Sequence, residues 1–146
     1  MRYFRKITGE RVYLSPINPD DAETYTKWLN DPDVGNLWGT YNKSYNLEVT
    51  REDLERRSKA YNFAIVRSED DKLLGHIDLH DFYWINRLAW LGIFIGEPEH
   101  RGKGYGSEAI GLILSYGFDT LNLHSVTLSV RADNERAIAC YQKAGF

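Results

Sequence analysis

The chain has 146 residues, a length that predicts one domain built around a single core. Its composition, 42% hydrophobic and 27% charged, excludes a disordered chain, and its net charge of −3 gives no electrostatic reason to propose a nucleic-acid partner. Cys140 is the only cysteine and no apolar run approaches the length of a membrane span, so we expect a cytoplasmic protein without an intrachain disulfide or a membrane partner.

The first half of the chain predicts one strand and two helices. Asn18 can cap a helix that has Pro19 in its first turn, and Pro32 ends that helix because the residue before a proline avoids the helical region. Thr50 and Asp53 have the spacing of a capping pair at the start of a second helix. The predicted order is a strand at 11–17, a helix at 18–31, an irregular aromatic segment at 33–46 and a helix at 50–60.

The second half predicts two hairpin strands, a third strand and then a strand–helix–strand crossover. An acidic turn at 68–72 joins the first two strands. The helix after the third strand is apolar nearly all round, which indicates that it is buried. Gly145 is well placed to end the last helix. The predicted elements are strands at 62–67, 73–82 and 87–96, a helix that closes at 121–124, a strand at 125–130 and a helix at 134–144.

This order, β-α-α-β-β-β-α-β-α, predicts an α+β or mixed α/β domain. The hairpins favour antiparallel pairing, whereas the later βαβ crossover requires a parallel pair. We therefore expect one central mixed sheet that is antiparallel at one end and parallel at the other.

The segment from Ile93 to Ser107, IFIGEPEHRGKGYGS, organises the chain. An apolar strand breaks at Gly96, and the turn at 101–106 leads directly into the long helix. Glycines let the backbone approach a ligand closely, and the free N–H groups and positive dipole end of the following helix favour an anion. The spacing excludes both a Walker A loop and a Rossmann fingerprint. The turn therefore predicts an anion site, and the alternative is a tight β–α turn that only needs glycine.

Two motifs resemble those of the GNAT N-acetyltransferase family. Arg101, Gly104 and Gly106 form the Arg-x-x-Gly-x-Gly pattern with which that family binds pyrophosphate. Near the end of the chain, VRADNERAIACYQKAGF is similar to the family's late helix, with Asn134, Tyr141 and a closing Gly-Phe in matching positions. The early sequence ERVYLSPINPDDAE resembles the ribosomal-protein and polyamine acetyltransferase branch.

The resemblance implies that acetyl-CoA is the co-substrate. In this family the parallel strands beside the crossover splay apart and the pantetheine arm lies in the gap, which is expected here near Phe94 and Ile95. Asn134 would hydrogen-bond the pantetheine or nearby backbone, or it is the helix N-cap, and both roles can hold. The residues expected to hold the pyrophosphate, chiefly through backbone amides, are Arg101, Gly102, Lys103, Gly104, Tyr105, Gly106 and Ser107.

The resemblance also implies that Tyr141 is the general acid. A phenol with a pKa of about 10 can donate to a thiolate whose conjugate acid has a pKa of about 8.5, although core packing is an alternative role for this side chain. Members of the family often carry an acidic residue where this chain has Trp90, so the chain departs from the family pattern at that position. We predict Glu97 as the catalytic base, and no His, Cys or carboxylate spacing indicates a metal site. The alternatives for the base are His76, Asp78, His80 and a water chain.

The sequence therefore predicts an acetyl-CoA-dependent N-acetyltransferase that moves the acetyl group directly to a primary amine. The acceptor is a small molecule or a peptide: a protein N-terminus, a polyamine or another small amine. The alternatives are a non-catalytic acyl-CoA-binding module and an interaction domain whose glycine turn binds nothing. The side chains expected to wall the acceptor site are Trp38, Tyr41, Tyr83 and Trp84.

The chain stops at Gly145–Phe146, whereas members of the family usually continue through two further strands. We therefore expect 1–146 to be a single acetyltransferase domain that is truncated at its C-terminal end. A bare sheet edge would pair with another chain, so we expect either poor stability or a homo-oligomer.

Overall fold

One mixed sheet of six strands forms the centre of the domain in the computed structural model, which describes residues 2–38 and 42–146. In order across the sheet, the strands are β1 (Ile7–Thr8), β2 (Val12–Pro16), β3 (Asn62–Arg67), β4 (Leu73–Tyr83), β5 (Leu88–Ile95) and β6 (Ser125–Thr127). The helices are α1 (Ala22–Asn30), α2 (Pro32–Trp38), α3 (Leu47–Arg57), α4 (Tyr105–Ser115) and α5 (Glu135–Lys143). Within the described ranges, no helix combines the length and the apolar character needed to cross a membrane.

The predicted mixed sheet is confirmed. Strands β1 to β5 pair antiparallel with their neighbours, and β5 and β6 pair parallel on either side of α4. Two short elements, β1 and α2, are added to the predicted order.

The parallel pair at the end of the sheet is short. Leu88–Trp90 pairs with Ser125–Thr127, although β5 continues to Ile95. The strand predicted over 125–130 is therefore wrong in its last three residues. Alternating side chains indicate extended backbone, but they do not reveal whether a neighbouring strand lies within hydrogen-bonding distance. The result is a gap beside the second half of β5.

Helix α4 covers one face of the sheet. Its buried side chains Ala109, Ile110 and Ile113 pack onto a core that includes Ile77 and Leu79 of β4. Burial of this apolar surface is the main stabilising contribution on that face.

The predicted all-round burial of this helix is wrong. Gly111 is exposed, and Phe118, in the π-helical turn Tyr116–Thr120 that follows α4, is 41% exposed. The sheet covers only one side of the helix, and apolar side chains on the other side are tolerated at a protein surface.

Helices α1 and α3 cover the opposite face. Tyr25 and Trp28 of α1 and Leu54 of α3 are all buried and pack with Tyr13 and Val66 of the sheet. Alternate side chains of each strand point to opposite faces, which lets the same strands serve both cores.

Local hydrogen bonds set the ends of the first helices. Asn18 Oδ1 accepts from the backbone N–H of Asp20 at 3.0 Å, which confirms its capping role, and α1 ends at Asn30 as predicted. A new helix begins at Pro32 and continues into the segment 33–46 predicted to be irregular. Proline is tolerated at the first helical position, because its missing N–H would have no partner there.

The predicted capping pair of α3 is wrong. The cap is Asn46, whose Oδ1 accepts from the N–H of Val49 at 2.8 Å. Thr50 lies inside the helix, and its hydroxyl donates to the Asn46 carbonyl at 2.9 Å. Leu47 and Val49 are exposed, and this apolar first turn hides the true start from a pattern that expects apolar residues to face the core.

Candidate active site

A glycine-rich turn joins β5 to α4. Gly102 and Gly104 have φ angles of 70° and 86°, in the left-handed region that side chains disfavour. The helix begins at Tyr105, and no side chain in the described part of the chain caps this end. The N–H groups of its first turn are therefore available to a ligand, and with the helix dipole they favour an anion.

Arg101 ties this turn to the end of β5. It donates from Nε to the Ile95 carbonyl at 3.1 Å and from Nη2 to the Gly96 carbonyl at 3.0 Å. Its guanidinium therefore stabilises the conformation of the turn and also supplies positive charge.

Arg11, the residue before β2, braces the turn. It donates from Nη1 to the Lys103 carbonyl at 2.8 Å, and its guanidinium lies 4.4 Å from the centroid of the Tyr105 ring. The Glu108 carboxylate accepts from the backbone N–H groups of Arg11, at 3.0 Å, and Val12, at 2.6 Å. No sequence pattern marks these residues, because the bond between Arg11 and the turn spans 92 positions.

An open cleft of about 820 Å³ begins at the turn. It follows the second half of β5, where β6 has separated, and reaches the helices on the other face of the sheet. Ligand sites commonly have volumes of about 300–1,000 Å³. The lining comes from the glycine turn and α4 (100–102, 104–107, 110), β5 (90–95), the segment after β6 (129, 130), α5 and its cap (134, 136, 137, 140, 141), α2 (33, 34, 38), α3 and the residues beyond it (56, 57, 60, 62) and β4 (78, 80).

Nearly all the residues predicted to bind the cofactor line this cleft. The exception among them is Lys103, whose side chain is exposed and does not belong to the described lining. Asn134 Oδ1 accepts from the N–H of Ala137 at 3.3 Å, so its N-cap role is confirmed, while contact with a cofactor stays a prediction. The nine residues on the cleft are Phe94, Ile95, Arg101, Gly102, Gly104, Tyr105, Gly106, Ser107 and Asn134.

Tyr141 is half-buried on α5 and lines the cleft. Its ring packs on the α4 side of the core and meets Phe146 at a centroid distance of 6.1 Å. Burial, with a smaller effect from Cys140, raises the pKa of Tyr141, so the hydroxyl holds its proton at neutral pH. The position suits both packing and proton donation, and the catalytic role stays a prediction.

Glu97 is engaged elsewhere. Its Oε1 accepts from Trp28 Nε1 at 3.1 Å and from Lys27 Nζ at 3.0 Å. The hydrogen bond from Trp28 and that from Lys27 lower the pKa of Glu97, which makes its carboxylate a weaker base. Among the residues that the structure describes, Glu97 does not contribute to the cleft lining. Its assignment as the base stays a prediction that these contacts do not favour.

A buried hydrogen-bond network on β4 faces the cleft. Asp78 is 2% exposed, its Oδ2 lies 3.1 Å from His76 Nε2, and its Oδ1 contacts His80 Nδ1. The Tyr25 hydroxyl lies 3.2 Å from His76 Nδ1. Burial raises the pKa of Asp78, but hydrogen bonds from the two histidines outweigh it and bring that pKa to about 2. Asp78 and His80 line the cleft, while His76 is buried.

The predicted aromatic walls are found only in part. Trp38 lines the cleft with its ring 4.9 Å from that of Phe94. Tyr83 and Trp84 are exposed at the β4–β5 hairpin and do not belong to the described lining, so their predicted place is wrong. They lie beyond His80, after which β4 no longer contributes to the described lining. Amino-acid composition does not reveal where along a strand the cleft ends. Tyr41 lies outside the described residues.

Charged side chains line the end of the cleft formed by α2 and α3. Arg56 and Arg57 of α3 both line the cleft and both pair with Asp53, with Arg57 Nε at 2.7 Å from Oδ2. The Asp53 carboxylate is therefore shared by two guanidiniums. Asp33 of α2 adds a carboxylate to the same lining.

The chain matches the family model described as "Acetyltransferase (GNAT) domain" over residues 11–146. Spermidine N(1)-acetyltransferase of Vibrio cholerae is 32% identical, over 94% of this chain and 73% of that protein.

Solved structures show the same similarity. A GNAT-family acetyltransferase from Bacillus anthracis superposes with a TM-score of 0.84 at 26% identity, over 95% of this chain and 81% of that one. The Vibrio cholerae spermidine N-acetyltransferase in complex with CoA and spermine superposes with a TM-score of 0.81 at 26% identity, over 94% of this chain and 80% of that one. The resemblance expected from the two sequence motifs is confirmed.

Proposed function

We propose that this chain, which belongs to the GNAT acetyltransferase family, transfers an acetyl group from acetyl-CoA directly to a primary amine. The observation that carries the proposal is a single cleft that joins the braced glycine turn to Tyr141 and to His80. An anion site, an open strand edge and groups able to move protons are thereby brought into one continuous space.

The glycine turn and β5 would bind the cofactor. The CoA pyrophosphate would accept hydrogen bonds from the amides at the start of α4, where Gly102 and Gly104 permit close approach. Arg136 lines the cleft and would add positive charge. The pantetheine arm would lie along 91–95 and pair with the strand edge that β6 leaves open, in the manner of an added strand.

The chain's own residues would then move the protons. The acceptor ammonium must lose a proton before its nitrogen can attack the thioester carbonyl carbon. A C–N bond forms, the C–S bond breaks, and the Tyr141 hydroxyl gives its proton to the leaving sulfur. Because burial raises the pKa of Tyr141, that proton is present across the neutral range.

Arg56 and Arg57 at the far end of the cleft support an acceptor that carries an anionic or carbonyl group close to its amine. Arg57 offers planar donors that match a carboxylate, and Arg56 lies beside it. A peptide N-terminus or an amino acid fits this description. A polyamine is the second candidate, supported by the similarity to spermidine acetyltransferases and by Asp33 in the lining.

Thiol release from acetyl-CoA across an amine panel tests the proposal. The panel contains spermidine, a simple alkylamine and short peptides with either acidic or neutral residues after the N-terminus. We expect release with at least one amine and the highest kcat/KM with an acidic peptide. Binding of acetyl-CoA by calorimetry without any thiol release would instead support the acyl-CoA-binding module, and absence of binding by folded protein would refute both CoA interpretations.

A substitution separates the two acceptor candidates. Arg57→Gln should lower kcat/KM for the acidic peptide and leave the alkylamine nearly unchanged. Arg51→Gln on the same helix is the matched control, because Arg51 pairs with Asp20 outside the described lining. A preference for spermidine that Arg57→Gln strengthens would identify the polyamine as the acceptor.

A further inference from the structure

His80 is the half-exposed end of a line of buried polar groups. Its side chain is 46% exposed and lines the cleft, while Asp78 behind it is almost fully enclosed. The line continues through His76 to the hydroxyl of Tyr25, and both of these side chains are buried. A histidine that only contributes polarity to the protein surface would not require a buried hydrogen-bond network behind it.

The buried carboxylate determines where the protons lie. An ionised carboxylate only accepts hydrogen bonds, so His76 Nε2 and His80 Nδ1 both donate to Asp78. Burial raises the pKa of Tyr25 well above its usual value, so its hydroxyl keeps its proton and donates to His76 Nδ1. Neutral His80 therefore keeps its lone pair on Nε2, which does not contact Asp78 and lies 4.0 Å from Asp81 Oδ2.

His80 also lies directly opposite a residue of β5 that lines the cleft. In the β4–β5 register it is the direct partner of Trp90. Both line the cleft. Side chains directly opposite in an antiparallel pair have Cβ atoms about 5 Å apart, so a base on β4 can serve the space that a base on β5 would serve.

We propose that His80 is the general base that takes the proton of the acceptor amine, and that Asp78 is the positioning residue that holds its ring. The inference rests on the proposed acetyl transfer. With these roles, the buried side of the network is fully hydrogen-bonded, and the basic nitrogen is Nε2 of a side chain that lines the cleft.

The protons of the reaction balance with these two groups. The ammonium nitrogen loses two protons in becoming an amide. One passes to His80 Nε2 and then to water. The other restores Tyr141 after its hydroxyl proton has left on the CoA thiol.

The charges around His80 set the pH range of its action. On its own strand, the hydrogen bond to Asp78 and, more weakly, the charge of Asp81 raise the pKa of His80, while burial and Arg57 of α3 oppose them. Arg56 of the same helix lines the cleft, and the facing Trp90 of β5 is uncharged. Since only neutral His80 accepts a proton, kcat/KM should rise as the pH passes upward through the raised pKa.

His80→Ala tests the proposal with the best acceptor from the amine panel. We expect kcat/KM at pH 7 to fall by about 10²- to 10⁴-fold, with acetyl-CoA affinity retained by calorimetry. Added imidazole should restore part of the rate, since the deletion opens space on a half-exposed site. Raising the pH above the pKa of the acceptor amine should also restore it, because the amine then needs no base. His124→Ala, at an exposed histidine outside the cleft lining, is the control and should keep the wild-type profile.

Asp78→Asn provides a second readout in protein shown to be folded by its melting curve. The oxygen of the asparagine amide can accept from only one of the two histidines. When it accepts from His76, the amide N–H₂ donates to His80 Nδ1, and the ring proton of His80 moves to Nε2. The rate should fall to the His80→Ala range, and imidazole should not rescue it because the ring of His80 still fills the space.

The outcomes distinguish the base from the function it rests on. A wild-type rate and pH profile in His80→Ala would overturn the role of His80, and so would a loss that neither imidazole nor high pH repairs. Wild-type protein that releases no thiol with any amine would overturn the proposed function, and the base with it, before any substitution is made.

Discussion

Gly96→Ala should destabilise the domain at the point where β5 meets the glycine turn. The added Cβ would lie 2.0–2.4 Å from three atoms of the Trp28 indole. Carbon atoms in contact are about 3.5 Å apart, so the ring would have to move by about 1.5 Å. Trp28 is 2% exposed and lies against Tyr25 and Phe94 at centroid distances of 5.5 and 6.0 Å, which leaves little room for that movement.

The structure sets the expected magnitude. Overpacking of a core costs about 1–3 kcal/mol. The displaced indole would also lose its bond to the Glu97 carboxylate, worth about 1.5–3 kcal/mol for a charged acceptor. We expect a decrease of roughly 2.5–6 kcal/mol in the free energy of unfolding, and a decrease in Tm of roughly 10 °C for a domain of this size.

Gly111→Ala is the matched control. Gly111 is exposed inside α4, and a Cβ there would meet no atom within 4 Å. Alanine should stabilise the helix by about 0.4–1 kcal/mol, because it reduces the freedom of the unfolded chain without a clash. Urea unfolding followed by circular dichroism measures both variants. Unfolding of Gly96→Ala at the same urea concentration as the wild type would show that Trp28 makes room for the added Cβ without cost.

Three further predictions concern catalysis, the glycine turn and acid stability. Tyr141→Phe should lower kcat by about 10²-fold with little change in the Kd of acetyl-CoA, measured by thiol release and calorimetry; equal losses in both would show that Tyr141 only packs. Arg11→Met removes the donor to the Lys103 carbonyl and should weaken acetyl-CoA binding about fivefold to tenfold, and unchanged affinity would contradict the bracing role. The pKa of Asp78 is lowered from 3.8 in the unfolded chain to about 2 in the folded protein. The ionised carboxylate therefore stabilises the fold above pH 3.8, and this stabilisation is lost as the pH falls through the folded-state pKa. Unfolding free energies between pH 5 and 2 should therefore fall by about 2 kcal/mol more in the wild type than in Asp78→Asn, and parallel curves would contradict this.

The strands and most helix ends could be predicted because their signals are local. The run NFAIVR forms β3 over the predicted residues, Asn18 caps the first turn, and Gly145 has a φ of 105° after the last helix. The start of α3 could not, because its first turn is apolar and exposed and its cap at Asn46 lies before the pattern begins. The early separation of β6 could not either, since it depends on how two segments far apart in the chain diverge.

By itself, the sequence determined the family, the glycine turn and the late helix with Asn134 and Tyr141, because each of these is encoded by residues that lie close together in the chain. Only the tertiary structure decided how the glycine turn is supported and which groups line the cleft. Arg11 reaches the turn across 92 positions, Glu97 is drawn away by Trp28, and the network behind His80 needs Tyr25 from another element. These contacts join distant parts of the chain, and hydrogen bonds of that kind depend on the packing of the sheet against its helices, which no local pattern records.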